Sequence, residues 1–326
     1  MNSRKIVIAA VAAAMLGGPA LAQSQKPGEN WPTKPIRILV GFPGGSSPDL
    51  VARALAEPLG KALGQPVIVE NRPGAGGNIA ADQVAKATDD HTLGVLINGN
   101  MTIAKMLNPA TPFDPLTDLT PVSLIGTAPL VLAAAVNIPG PDSAFLAAAR
   151  EAGNKWSYGS PGVGTVAHIG MELLKSKAGV DAVHVPYPGN PQVITAILGG
   201  QLQLALLPPA LAMAQVRAGK MRAIGVTSAE RSPVVPELQS LADVGLKDFD
   251  LEIWNALAAP RSMPRDLVAR IASTVAEIVR TPAMRDKLAQ QGWQAVGSSP
   301  EALTNRIKAD TGQLGGVITR LGIRAE

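Results

Sequence analysis

The chain has no cysteine among its 326 residues, only three histidines and 3% aromatic residues. Without cysteine there is neither a disulfide framework nor thiol catalysis, so stability must come from a large packed core. His91, His168 and His184 stand far apart and form no H-x-x-x-H or H-x-E pair, which leaves a metal site unsupported. Charge is sparse too, at 17% of residues with a formal net charge of +4. There is no basic run and no interleaving of basic with aromatic residues, so no nucleic-acid partner is expected. Long apolar runs are missing, apart from residues 6–16. That run follows Arg4 and Lys5, is short for a membrane span, and precedes Ala20-Leu21-Ala22, a small-x-small cleavage pattern. Residues 1–22 are therefore expected to be a signal peptide cleaved after Ala22. What remains would be exported, with a net charge of about +2 once Arg4 and Lys5 are gone.

What is present is an alternation of short β-branched runs with amphipathic segments. IRILVGF (residues 36–42) reads as a strand buried on both faces. Leu50, Ala54, Leu55, Leu59 and Leu63 then recur at helical spacing until Gly64 stops the helix. VIVENR (67–72), a helix over 78–87 and TLGVLIN (92–98) complete a βαβαβ unit, hence a parallel sheet with right-handed crossovers. A second α/β set begins after residues 123–136. Its strands are KWSYGS, AVHVPY, LQLALL and RAIGVTS, and its helices fall near 143–152, 165–177, 192–198 and 209–218. From Trp254 onward the chain reads as mainly helical, over 265–280, 282–291 and 300–321. About 300 exported residues suit two domains. No Gly/Ser linker separates them, so the chain is expected to cross between two lobes on strands near 126–130 and 251–257. Lobe 1 would hold residues 31–126 plus 253–326, and lobe 2 residues 127–252. In open α/β sheets ligands bind beyond the carboxyl ends of the strands. The turns GFPGGSSPD, INGNMT, YGSPGVGT and VPYPGN should therefore face a cleft.

The Gly-rich turns fit few chemistries. Residues 162–167 match a loose G-x-G-x-x-A pattern, but Asp181 precedes the next strand instead of ending it, so a dinucleotide is disfavoured and no cofactor is expected. Neither turn ends in the Gly-Lys of a P-loop. Gly159-Ser160-Pro161-Gly162 lacks the G-x-S-x-G spacing of a nucleophile elbow, and Pro161 has no N–H for an oxyanion hole. No nucleophile–base–orienter set can be assembled from His168 or His184, so the chain is not expected to be an enzyme. Anion capture survives. Gly44, Gly45, Ser46 and Ser47 precede one helix, and Ser160, Gly162, Gly164 and Thr165 precede another; each helix start offers unsatisfied N–H groups and a partial positive charge.

Several stretches resemble one family. WPTKPIRILVGFPGGSSPD (31–49), VIVENRPGAGGNIAADQVAKA (67–87), YGSPGVGTVAH (158–168), VHVPYPGN (183–190) and RAGKMRAIGVTSAERSP (217–233) resemble the substrate-binding proteins of tripartite tricarboxylate transporters, the Bug or TctC-like receptors. The resemblance is collinear over nearly the whole exported chain. It implies a periplasmic, two-lobed periplasmic-binding-protein (Venus flytrap) fold of α/β class, a monomer closing on a small organic carboxylate, and delivery to TctA/TctB-like membrane subunits. It also implies a site at Phe42, Pro43, Gly44, Gly45, Ser46, Ser47 and Asp49 in the first turn. Ser160, Gly162, Val163, Gly164 and Thr165 would serve in the second, with Asn98, His168 and Tyr187 as further lining. ENRPGAGGNI reads as a structural turn whose glycines admit an unusual path into the next helix. Two departures bear on the ligand. PGGSSPD stands where the family commonly has APGGTTD. LLPPAL (206–211) stands for FDNLPS, so that Leu207-Pro208 replaces an Asp-Asn pair and predicts a more apolar ligand body. A ligand sensor feeding a kinase and an exported serine hydrolase are the alternative readings.

Overall fold

The computed structural model describes residues 31–140 and 143–325; the expected signal peptide lies outside the described residues. The chain opens with β1 (Ile36–Val40), α1 (Ser47–Leu63), β2 (Val67–Asn71), α2 (Asn78–Ala85) and β3 (Thr92–Ile97). The expected parallel unit is present: β1 pairs in parallel with both β2 and β3. Gly64 ends α1 in the left-handed conformation, at φ 79°, where a side chain would be strained. Two short helices, α3 (Asn98–Thr102) and α4 (Ala104–Leu107), lead to the long strand β4 (Leu119–Pro129).

The second sheet is built from β5 (Val131–Ala135), α5 (Ser143–Ala152), β6 (Ser157–Ser160), α6 (Val166–Ala178), β7 (Val183–Pro186), α7 (Asn190–Leu198), β8 (Leu204–Leu207), α8 (Pro209–Arg217) and β9 (Met221–Val226). Its strand order is β7-β6-β8-β5-β9. The chain then returns through β10 (Glu252–Pro260), α9 (Arg265–Arg280), α10 (Pro282–Gln290), β11 (Gln294–Ala295) and α11 (Pro300–Leu321). The first sheet runs β11-β4-β10-β3-β1-β2, with β10 antiparallel to both β3 and β4.

Two sequence readings overlap at residues 254–257, a mainly helical run from Trp254 and a crossing strand near 251–257. The strand prevails and runs further: Glu252–Pro260 is an inner strand of the first sheet, buried throughout from Trp254 to Pro260. Alanine-rich segments favour helices intrinsically, but pairing on both edges and burial on both faces override that preference.

Each sheet packs its own core. One cluster gathers Tyr158, Phe145, Leu204 and Leu206 around the second sheet; two others, around Leu55 and Ile271 and around Trp254 and Leu303, cover opposite faces of the first. The chain passes between the sheets twice, from β4 to β5 through Leu130 and from Leu251 into β10. Thr227 fastens these passages together. Its hydroxyl accepts from the Leu130 N–H at 2.8 Å and donates to the Leu251 carbonyl at 2.7 Å. Its backbone bonds the same two residues. The result is a two-lobed α/β protein with a fully buried threonine at the crossing.

Candidate ligand-binding site

The first Gly-rich turn is rigid because Asp49 holds it. The buried carboxylate accepts from the Gly45 N–H at 2.9 Å, Arg53 Nε at 3.0 Å and Asn71 Nδ2 at 2.8 Å. Burial pushes its pKa up, but these bonds from Arg53, Asn71 and Gly45 prevail and hold it below the usual carboxylate range. Asn71, from the ENR motif, also donates to the Phe42 carbonyl at 2.9 Å. The Gly45 and Ser46 N–H groups are thereby spent inside the turn, the latter on Pro43 O. Gly44 and Gly45 face outward.

The second turn is spent in the same way. Thr165 caps α6, its hydroxyl donating to Gly162 O at 2.8 Å and accepting from His168 N at 3.4 Å. Gly164 N–H donates to His168 Nδ1, and Gly162 N–H to Ser160 Oγ. Ser160 Oγ lies 2.7 Å from His184 Nε2, a pairing that sequence spacing did not reveal. His184 is itself stacked between Tyr158 and His168, with ring centroids 4.8 and 4.3 Å away. Burial, with the neighbouring His168, pushes its imidazole down to about 4. Burial lowers His168 as well. Ser160 is fully buried and lines neither interlobe cavity, whereas His184 is half-buried.

What remains free points between the lobes. A narrow cavity is lined from lobe 1 by Phe42, Ser47, Asn98, Trp254, Asn255 and Trp293, among others. From lobe 2 come Pro161, Thr165, Val166, Ala167, Asn190 and Pro208, with Leu130 at the crossing. Ser47 begins α1 and Val166 and Ala167 begin α6, so their N–H groups precede the first in-helix bonds, Leu50 N to Ser46 O and Ile169 N to Thr165 O. Among the described residues no Asp, Glu, Lys or Arg lines the cavity. Four of its side chains carry buried polar atoms with no protein partner: Ser47 Oγ, Asn98 Oδ1, Asn190 Oδ1 and both amide atoms of Asn255. Native interiors rarely leave such atoms unpaired, and several converging on one cavity mark a binding site.

Of the sequence-derived residues, Phe42, Ser47, Asn98 and Thr165 meet at this cavity. Gly162, Val163, Gly164 and Tyr187 do not; they line a second cavity with Gly74, Gly76 and Asn100. Pro43 packs against Gly189. Ser46 is buried and, like Asp49, Ser160 and His168, is turned away from the first cavity. Trp254, Asn255, Trp293 and Asn190 were missed. Asn190 closes the VPYPGN turn, and Asn255 is a lone amide in an apolar strand; both are signals in the sequence. Pro208, flagged there as a departure, lines the cavity.

The lobes meet over glycines. A methyl group on Gly76 would lie 2.5 Å from the Val163 carbonyl oxygen, and one on Gly99 would lie 2.4 Å from that of Gly164. The GAGG segment therefore does more than turn the chain, because it is where lobe 1 touches the second Gly-rich turn.

Comparison with known proteins agrees with this architecture. Residues 51–323 match the tripartite tricarboxylate transporter family receptor. A protein from the tcbD-tcbE intergenic region of Pseudomonas sp. (strain P51) is 33% identical over 94% of this chain and 91% of its own length. The structure of Rhodopseudomonas palustris MatC with bound malate superposes with a TM-score of 0.84 at 30% identity, covering 88% of this chain and all of that one. That of R. palustris Rpa4515 with adipate gives 0.85 at 29% identity, covering 90% and 99%. These relatives are solute-binding receptors with the periplasmic-binding-protein fold, not enzymes. With residues 51–323 matched to the family model, the chain belongs to the tripartite tricarboxylate transporter receptor family.

Proposed function

We propose that this receptor captures a small organic carboxylate with an apolar body between its lobes. It works in the periplasm as a monomer and passes its ligand to TctA/TctB-like membrane subunits. The observation that carries this reading is the uncharged interlobe cavity, where two helix N-termini and a ring of unpaired polar atoms converge. A carboxylate placed there accepts from the Val166, Ala167 and Ser47 N–H groups and from the Ser47 hydroxyl, in a site that offers no competing acid. Phe42, Trp254, Trp293 and Pro208 supply apolar walls for the rest of the molecule. The malate and adipate bound by the two R. palustris relatives support the class of ligand. Among the described residues no helix is long and apolar enough to cross a membrane, and no group of three acidic or histidine side chains could hold a metal.

The test is a thermal-shift panel of aliphatic and aromatic mono-, di- and tricarboxylates with their amides. A ligand at a hundredfold excess over its Kd stabilises the fold by about 2.7 kcal/mol, a rise of about 5 °C for a chain this long. The rise should vanish when the carboxylate becomes an amide. A folded protein that answers to no carboxylate, or equally to acid and amide, refutes the reading.

A further inference from the structure

We infer that the ligand carries a neutral hydrogen-bond donor, a hydroxyl or an amide N–H, in addition to its carboxylate, and that Asn98 and Asn255 recognise it. The inference rests on the carboxylate reading above and narrows it.

The orientation of Asn98 is fixed by its own bond. Its Nδ2 donates to the Glu252 carbonyl at 3.0 Å, so the atom left over is Oδ1, which can only accept. The side chain is 1% exposed and Oδ1 has no protein partner. Asn255 lies on β10, opposite Ile97 of β3 and Gly126 of β4, where the register shifts between Asn255 and Ala256. It too is 1% exposed, and neither its oxygen nor its nitrogen is paired. Both line the cavity of the proposed site, with Asn190 Oδ1 as a further bare acceptor from lobe 2.

A carboxylate cannot answer the bare acceptors Asn98 Oδ1 and Asn190 Oδ1. It is itself only an acceptor, and brought against Asn98 Oδ1 it would set two lone-pair oxygens face to face. It belongs instead with the N–H groups of Ser47, Val166 and Ala167. The group that meets Asn98 must therefore bring a hydrogen. An ammonium would do so, but the cavity holds no acidic side chain to balance its charge. A neutral hydroxyl or amide N–H meets both demands: it donates to Asn98 Oδ1, and its oxygen accepts from Asn255 Nδ2.

The experiment is titration calorimetry of the protein with matched acids that differ only in the donor: butyrate against 4-hydroxybutyrate, hexanoate against 6-hydroxyhexanoate, and benzoate against 3- and 4-hydroxybenzoate. In at least one pair the hydroxyl member should bind roughly tenfold more tightly, one hydrogen bond's worth of discrimination. Asn255→Leu should bring that pair to within about threefold. It should also raise the melting temperature of the ligand-free protein, since it removes two unpaired polar atoms from a buried site. Asn255→Ser serves if the leucine variant fails to fold, and the wild-type comparison stands without either. Carboxylates that bind with no preference for the donor in any pair overturn this inference alone. So does a preference that survives both variants. If no acid of either kind binds the folded protein, the carboxylate reading falls and takes this inference with it.

Discussion

Replacing Gly76 by alanine should loosen ligand binding far more than it loosens the fold. Gly76 sits at φ +62°, where an L side chain costs about 1 kcal/mol wherever it occurs. That cost is local to lobe 1 and is the same whether or not the lobes meet. The methyl group adds a second effect, because it would lie 2.5 Å from the Val163 carbonyl oxygen of the other lobe. Relief needs a parting of roughly 0.8 Å to reach ordinary carbon–oxygen contact. Thr165, Val166 and Ala167 follow Val163 on the same turn, so they retreat with it from Ser47 across the cavity. A hydrogen bond stretched by that amount from about 2.9 Å passes out of useful range. With two ligand bonds weakened at about 1 kcal/mol each, binding should fall roughly thirtyfold. The control is Gly219→Ala, at φ +68° with nothing within 4 Å of the added carbon; it carries the backbone cost without the collision. Calorimetry of both variants with a ligand from the carboxylate panel decides the matter. Gly76→Ala binding within threefold of wild type, or Gly219→Ala weakening just as much, refutes the argument.

Acid should destabilise the second lobe through His184. Its folded pKa, pushed down to about 4, lies below the ordinary 6.5, so the unfolded chain takes up a proton that the folded one refuses. Stability is then lost as pH falls from about 6.5 toward 4, by about 2 kcal/mol once partial exposure is discounted. Urea unfolding at pH 7 and pH 4.5 should show a steeper loss for wild type than for His184→Gln, and equal losses would disprove the assignment. Thr227→Val should cost about 2–4 kcal/mol in the same assay, because it strips the buried Leu130 N–H and Leu251 carbonyl of their shared partner. A cost below about 1 kcal/mol would show that the crossing does not depend on that hydroxyl.

Periodicity made much of the fold legible. α9 and α11 fall on the residues expected from spacing, because Leu267, Ile271, Val275 and Val279 mark a buried stripe that only a helix presents on one side. Gly64 announced the end of α1, and the two Gly-rich turns announced the two helix starts that reach the cavity. β10 was less legible because WNALAAP carries no alternation: a strand buried on both faces writes the same pattern as a buried helix. The site was half legible. Residue type could say that a Gly-rich turn offers N–H groups, but not which of them its own side chains would consume. Asn255 and Trp293 come from segments with no motif, brought to the cavity by long-range pairing alone.

That internal consumption explains how a turn with a serine, two histidines and several glycines comes to bind rather than react. Ser160 is tied to His184 and to both ends of Gly162, and Thr165 bridges Gly162 to His168. Every group that could have been a nucleophile or a base is used to hold the path of the turn. The N–H groups left over are the first two of α6, whose residues line the cavity. On the opposite side Asp49 does the same for the first turn, taking the Gly45 N–H and leaving Ser47 exposed to the cavity. A rigid pair of helix starts with no titrating group between them can hold an anion without exchanging a proton with it. The ligand can then leave in the chemical form in which it arrived, as the proposed delivery to membrane subunits requires.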